Sequence, residues 1–250
     1  MGIGGVGSWC AEALARSGLG RLTLVDLDHV AESNINRQLP ALGSTLGAAK
    51  VEVMQHRLLD ISPGLEVRVV DDFVTVDNAQ DLLPPDALIV DAIDQPRVKA
   101  AMIALARKRA QAIIVCGAAG ARTDPLMLRR SDLALVRGDA LLSSVRSRLR
   151  RDFGFSRSAG EAFGVPAVHS IETPRPGEPG CVIDPSSGIE AGGGHIVDAD
   201  VLGAPGAPLA CGGYGSLVTV TAPMGFAAAA AALSFLTAPA RSSGARVRRG

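Results

Sequence analysis

The chain opens Met1-Gly2-Ile3-Gly4-Gly5-Val6-Gly7, and an acid, Asp26, stands downstream at about the 20-residue distance at which a carboxylate meets ribose hydroxyls. Glycines in the G-x-G-x-x-G spacing let backbone N–H groups approach phosphate oxygens, and the helix that follows favours negative charge at its N-terminus. By itself this pattern serves a nicotinamide or flavin dinucleotide as well as ATP. The next segments carry more charge than a pyrophosphate needs. Ser33-Asn34-Ile35-Asn36-Arg37-Gln38 follows Asp26, Lys50 lies further on, and Asp94 ends a later apolar run. A triphosphate calls for cations and a metal. Arg37 has the planar fork for phosphate oxygens, Lys50 the point charge, and Asp94 the hard oxygen ligand for Mg²⁺. Singly, Arg37 and Lys50 read equally as surface charges and Asp94 as a cap ahead of Pro96. Together, behind a glycine loop, they favour a nucleoside triphosphate.

These residues need elements to place them. The spacing predicts a helix from Ser8, as N-cap, to about Ser17, closed by Gly18. It predicts strands over 21–28, 65–74, 86–94 and 112–117, and helices over 47–64, stopped by Pro63 and Gly64, and over 96–110. Strands alternating with helices argue for an α/β, Rossmann-like fold with a mostly parallel sheet and flanking helices. In such sheets ligands bind beyond the carboxyl ends of the strands, where Asp26, Asp28, Asp91 and Asp94 fall. Residues 131–154 read as a basic helical stretch. Residues 155–214, rich in Gly, Pro and Ser, read as an irregular loop-rich part, residues 216–236 as an apolar helix, and 239–250 as a disordered tail. The expected organisation is one nucleotide-binding domain over 1–238.

The composition narrows the function. Of 250 residues 47% are hydrophobic, enough for a sizeable core, and the formal net charge is zero. Bulk charge therefore does not announce a nucleic-acid binder. Four cysteines, Cys10, Cys116, Cys181 and Cys211, form no C-x-x-C pair, which argues against structural zinc. With no signal peptide ahead of the loop, free thiols in the cytoplasm are expected. The stretch 216–236 is long enough to cross a bilayer. Its alanine content, with Pro223 and Gly225, favours a buried or dimer-interface helix over membrane association.

One expected element is absent from the sequence. A phosphate loop normally follows a buried central strand, and this loop begins at residue 2. The chain reads as a fragment, as divergent and inactive, or as one whose start was placed too late; the last is favoured, because GTG encodes valine internally and methionine at a start, and valine suits the end of a strand.

GIGGVG (2–7), LVDLDHVAESNINRQ (24–38), GAAKVEVM (47–54) and DAID (91–94) resemble the ThiF/MoeB/HesA superfamily of adenylating enzymes, which is related to the ubiquitin-activating enzymes. VDDFVT (70–75), DAIDQPRVKAAMI (91–103), GAAGARTDP (117–125) and LRRDFG (149–154) look most like its branch that dehydrates threonylcarbamoyladenosine in tRNA. The resemblance implies an ATP- and Mg²⁺-dependent enzyme in which Gly4, Gly5 and Gly7 approach the phosphates and Asp26 binds ribose. It implies that Ser33, Asn34 and Arg37 contact phosphate, Lys50 stabilises developing charge and Asp94 holds Mg²⁺, with Arg37, Lys50 and Asp94 as the catalytic set. It implies tRNA as substrate and a homodimer; Cys211 in LACGGYGS reads first as a small buried residue packed among glycines, with receipt of sulfur from a cysteine desulfurase partner left open. His169 and Glu172 are expected to be structural, as are Cys10 and Cys116. An arginine run, Arg146, Arg148, Arg150 and Arg151, reads as either a tRNA-facing patch or a solvated helix face. The alternatives are an adenylyltransferase acting on the C-terminus of a ubiquitin-like sulfur carrier, an NAD-dependent oxidoreductase that needs neither Arg37 nor Lys50, and a non-enzymatic nucleotide-binding protein.

Overall fold

A computed structural model describes residues 1–158, 160–174 and 215–238. Cys181, Cys211 and the basic tail lie outside the described residues. In chain order the elements are α1 (Gly7–Arg16), β1 (Arg21–Val25), α2 (Lys50–Ile61), β2 (Glu66–Val70), α3 (Ala79–Leu82), β3 (Ile89–Asp91), α4 (Pro96–Lys108), β4 (Ile113–Cys116), β5 (Leu128–Asp132), α5 (Ala140–Asp152), β6 (Pro166–Ser170) and α6 (Val218–Leu236). β1 and β2 pair in parallel, and a second sheet runs β3-β4-β6-β5, parallel except for the antiparallel edge strand β5.

Residues 1–3 join the two sheets. Gly2 donates to the Val25 carbonyl at 2.9 Å, and Ala92 donates to the Met1 carbonyl at 3.0 Å. The Met1 ammonium donates to Val90 O at 3.0 Å. Residues 1–3 thus occupy the position between β1 and β3. Behind Met1 a slot of about 560 Å³ continues between the two strands, walled by Leu22, Leu24, Leu88 and Val90.

Alternation along the strands builds a layer on each face. Ile113, Val115 and Ala167 pack towards α4 and α5 with Met102, Ile103, Leu142 and Leu149. Ile114, Cys116 and Val168 pack towards α1 and α6 with Cys10, Leu14, Met224 and Ala228. A third cluster, with Met54 and Leu58 of α2, covers β1. Cys10 and Cys116 are buried core residues whose thiols burial pushes up to about 12.

The apolar stretch 216–236 is long and apolar enough to cross a membrane, and half of its most apolar window is buried inside the fold. The helix runs through Pro223. Gly225 allows the close approach to α1, since a Cβ there would press on the Val6 carbonyl oxygen and the Cys10 nitrogen.

Three local readings differ from the sequence. Ser8 is not the N-cap of α1. Val6 holds that place without a side-chain bond, and Ser8 Oγ donates back to Gly4 O at 2.7 Å, as serines in a first turn do. The stretch 131–154 is not one helix: its first residues end β5, and Asp139 caps α5 by accepting from Leu142 N at 2.9 Å. The irregular part contains β6, a central strand of the second sheet.

Candidate functional site

The glycine loop, the tips of β1 and β3 and the start of α2 converge at the carboxyl ends of the strands. Asp26 follows β1 and holds the loop from beneath. Its Oδ2 accepts from Ile3 N at 2.5 Å and its Oδ1 from Asp28 N at 2.8 Å. Gly4 and Gly5 form the turn into α1, with Gly7 as its first helical residue. An uncapped N-terminus leaves helix N–H groups for an anion.

Arg37 lies across this loop. A Cβ on Gly5 would stand 3.5 Å from Arg37 Cγ and 3.0 Å from Thr221 Cγ2. Its Nη1 donates to Ser33 O at 2.6 Å and to Asn36 Oδ1 at 3.0 Å. Its carbonyl accepts from Trp9 Nε1 at 3.2 Å and from Thr221 Oγ1 at 3.1 Å. Asn34 is 8% exposed and fixes its own turn, accepting from Ala31 N at 3.2 Å. Ser33 is exposed. Gln38, also buried, packs over Gly4 with its Nε2 at 3.9 Å from where a Cβ would stand.

Lys50 opens α2 and is 4% exposed. Its ammonium lies 2.8 Å from Asp28 Oδ2, and its backbone nitrogen donates to the Asp28 carbonyl at 3.0 Å. Asp94 stands exposed between β3 and α4, with no hydrogen-bond partner among the described residues. The loop that carries it is anchored by Asp91 and Lys99, both 0% exposed and 2.8 Å apart. Asp91 Oδ1 also accepts from Ile93 N at 3.0 Å. The structure brings Gly4, Gly5, Asp26 and Arg37 together around one loop, with Ser33 bonded to the Arg37 guanidinium and Asn34 holding its own turn, draws Lys50 onto Asp28, and sets Asp94 apart in the segment between β3 and α4. The sequence places Asp28 at a strand end but not as the partner of Lys50, and does not single out Trp9, Asn36, Lys99 and Thr221. Thr221 is 184 residues from Arg37, and nothing local marks it.

The remaining polar candidates hold structure. Glu172 accepts from Thr123 N at 2.9 Å, Thr123 Oγ1 at 3.0 Å and Asp124 N at 3.0 Å. His169, 3% exposed, pairs its Nε2 with Ser131 Oγ at 2.9 Å, and burial lowers its pKa. Arg122, 1% exposed, donates to the carbonyls of Ala118 and Gly138 and tethers the loop after β4. The arginine run is not a continuous basic face. Arg146 is buried, Arg150 covers the Phe163 ring at 5.3 Å, and exposed Arg151 is paired with Asp152 at 2.7 Å.

No group of three His, Cys, Asp or Glu side chains that could hold a metal exists among the described residues. A lone free carboxylate still suits Mg²⁺, which is bound through one or two carboxylates together with substrate phosphates.

Comparison with known proteins follows the same lines. The model of the ThiF family matches residues 1–247. The tRNA threonylcarbamoyladenosine dehydratase of Escherichia coli (strain K12) is 40% identical over 245 residues, 98% of this chain and 87% of the relative. Its namesake in Haemophilus influenzae is 44% identical over 173 residues, 69% of this chain and 66% of the relative. The solved structure of E. coli tRNA N6-threonylcarbamoyladenosine dehydratase, TcdA, in complex with ATP superposes with a TM-score of 0.74. Its sequence identity is 37%, and the match covers 94% of this chain and 83% of that one.

Proposed function

The chain belongs to the ThiF family, and from that premise we propose the following account of its reaction. It is an ATP-dependent enzyme that dehydrates threonylcarbamoyladenosine in tRNA. The carboxylate of the threonyl group attacks the α-phosphorus of ATP and pyrophosphate departs, leaving an acyl-adenylate. Carboxylate is a poor electrophile because its leaving group would be oxide, whereas AMP leaves readily. A nucleophile of the same side chain then attacks the activated carbonyl, loses its proton and expels AMP, which carries away the carboxylate oxygen. The nucleoside has lost one water. Ring closure is intramolecular, so proximity supplies much of the rate, and no covalent enzyme nucleophile is needed.

In this account Asp26 binds ribose while bracing the loop. Gly4, Gly5 and Gly7 admit the phosphates, with Ser33, Asn34 and Arg37 beside them, and Arg37 and Lys50 stabilise charge that develops in the transition state. Asp94 would hold Mg²⁺, which would supply neutralisation of the phosphate charge. The enzyme acts as a homodimer in the cytoplasm, and a cysteine desulfurase partner for Cys211 belongs to the same reading. The observation that carries the reading is the Arg37 stem packed on Gly5 in the loop that Asp26 braces, its guanidinium held alongside by Ser33 and Asn36, because a cation beside a glycine loop suits a triphosphate.

The test incubates the protein with ATP, Mg²⁺ and tRNA bearing threonylcarbamoyladenosine. AMP release and loss of one water from the nucleoside, followed by mass spectrometry, are the expected result. AMP release only on adding a sulfur-carrier protein would overturn it in favour of carrier adenylation.

A further inference from the structure

Arg37 is held on its main chain as well as by its guanidinium, and both attachments lead to the start of α6. The Arg37 carbonyl accepts from Thr221 Oγ1 at 3.1 Å, in the first turn of that helix. The preceding carbonyl, of Asn36, accepts from Val218 N at 3.1 Å. The Asn36 side chain works in two directions. Its Nδ2 donates to Ser216 O at 2.7 Å, and its Oδ1 accepts from Arg37 Nη1 at 3.0 Å. Only this orientation of the amide satisfies both neighbours, because the reverse would set oxygen against oxygen and nitrogen against guanidinium. Thr221 is 2% exposed, and its methyl and the Arg37 stem press on Gly5 together.

We propose that Asn36 and Thr221 form a clasp through which the start of α6 sets the position of Arg37 over the phosphate loop. Both are positioning residues. Neither needs to touch the nucleotide. Asn36 fixes the guanidinium from the side, and Thr221 fixes the backbone from which it projects. α6 is thereby part of the nucleotide site as well as a core helix. The inference rests on the reading of Arg37 as a phosphate ligand.

The test is a double-mutant cycle on ATP affinity, measured by calorimetry in the presence of Mg²⁺ and without tRNA. Arg37→Ala is expected to weaken ATP binding by about tenfold or more. Asn36→Leu and Thr221→Val should each weaken it about threefold to tenfold in the Arg37 protein, and should add nothing in the Arg37→Ala protein. Thr221→Ser, which keeps the hydroxyl, should bind as the parent does, and so covers the case in which Thr221→Val fails to fold. Asn36 is exposed, so its variants should keep the parental melting temperature. Equal losses with and without Arg37, or no loss from Asn36→Leu, would overturn the clasp. A protein that binds ATP through this cycle yet leaves the tRNA nucleoside intact would sink the proposed reaction and leave the clasp standing.

Discussion

Gly7 lies so close to Gly2 that a Cβ on residue 7 would overlap the Gly2 carbonyl oxygen, whereas a Cβ on Gly4 would meet nothing nearer than Gln38 Nε2 at 3.9 Å. The two glycines of one motif therefore have separable duties. Gly7 closes the turn onto the chain's first residues, and Gly4 keeps space above the loop. Gly7→Ala is expected to cost about 1–3 kcal/mol or more, as forced overpacking does. Gly4→Ala should unfold at the parental temperature and lose ATP affinity, because its methyl would stand where a phosphate approaches. Thermal melts and ATP titrations of the two variants check this; a Gly4→Ala protein that binds ATP normally would remove the glycine loop from the nucleotide site.

Lys50 poses a different question, since its ammonium is already satisfied by Asp28. The Asp28 side chain is 53% exposed, so water can take over once the lysine is gone. Lys50→Met keeps the packing of the stem and leaves no buried charge behind, so it should cost about 1 kcal/mol, the net worth of one hydrogen bond. If Lys50 turns to the phosphates during reaction, the same variant should slow AMP formation by about 10²–10³, the usual loss for a charge-stabilising donor. Guanidinium-chloride melts and AMP release separate the two roles. A stable, fully active variant would make the pair with Asp28 the residue's whole purpose.

How much of this was legible before folding depends on where the determinants sit. α2 and α4 were readable because amphipathic periodicity is bounded by Pro63-Gly64 and by Pro96. The glycine loop and Asp26 were readable because strand–turn–helix geometry fixes their spacing. β5 was missed because its sequence LRRSD is polar, as an edge strand can be. β6 was missed because it starts with proline and ends His169-Ser170; its place between β4 and β5 buries it, and Ser131 supplies the partner that a buried His169 needs. The pairing of Lys50 with Asp28, and of Arg37 with Thr221, required the fold itself. Spacing says which residue types are near a loop, and tertiary contacts say where their hydrogen bonds go.

The buried Asp91–Lys99 pair predicts a large stability effect near the site. Lys99 also donates to the Asp91 carbonyl at 3.1 Å, and Asp91 Oδ2 is a buried oxygen without a partner among the described residues. Lys99→Met would strand a carboxylate in the core and should cost about 3–5 kcal/mol. Adding Asp91→Leu should recover part of that loss, because a paired removal eliminates the uncompensated charge. Denaturant midpoints of the single and double variants measure this, and a double variant less stable than the single one would show that the carboxylate is needed to hold Ile93 and the loop bearing Asp94.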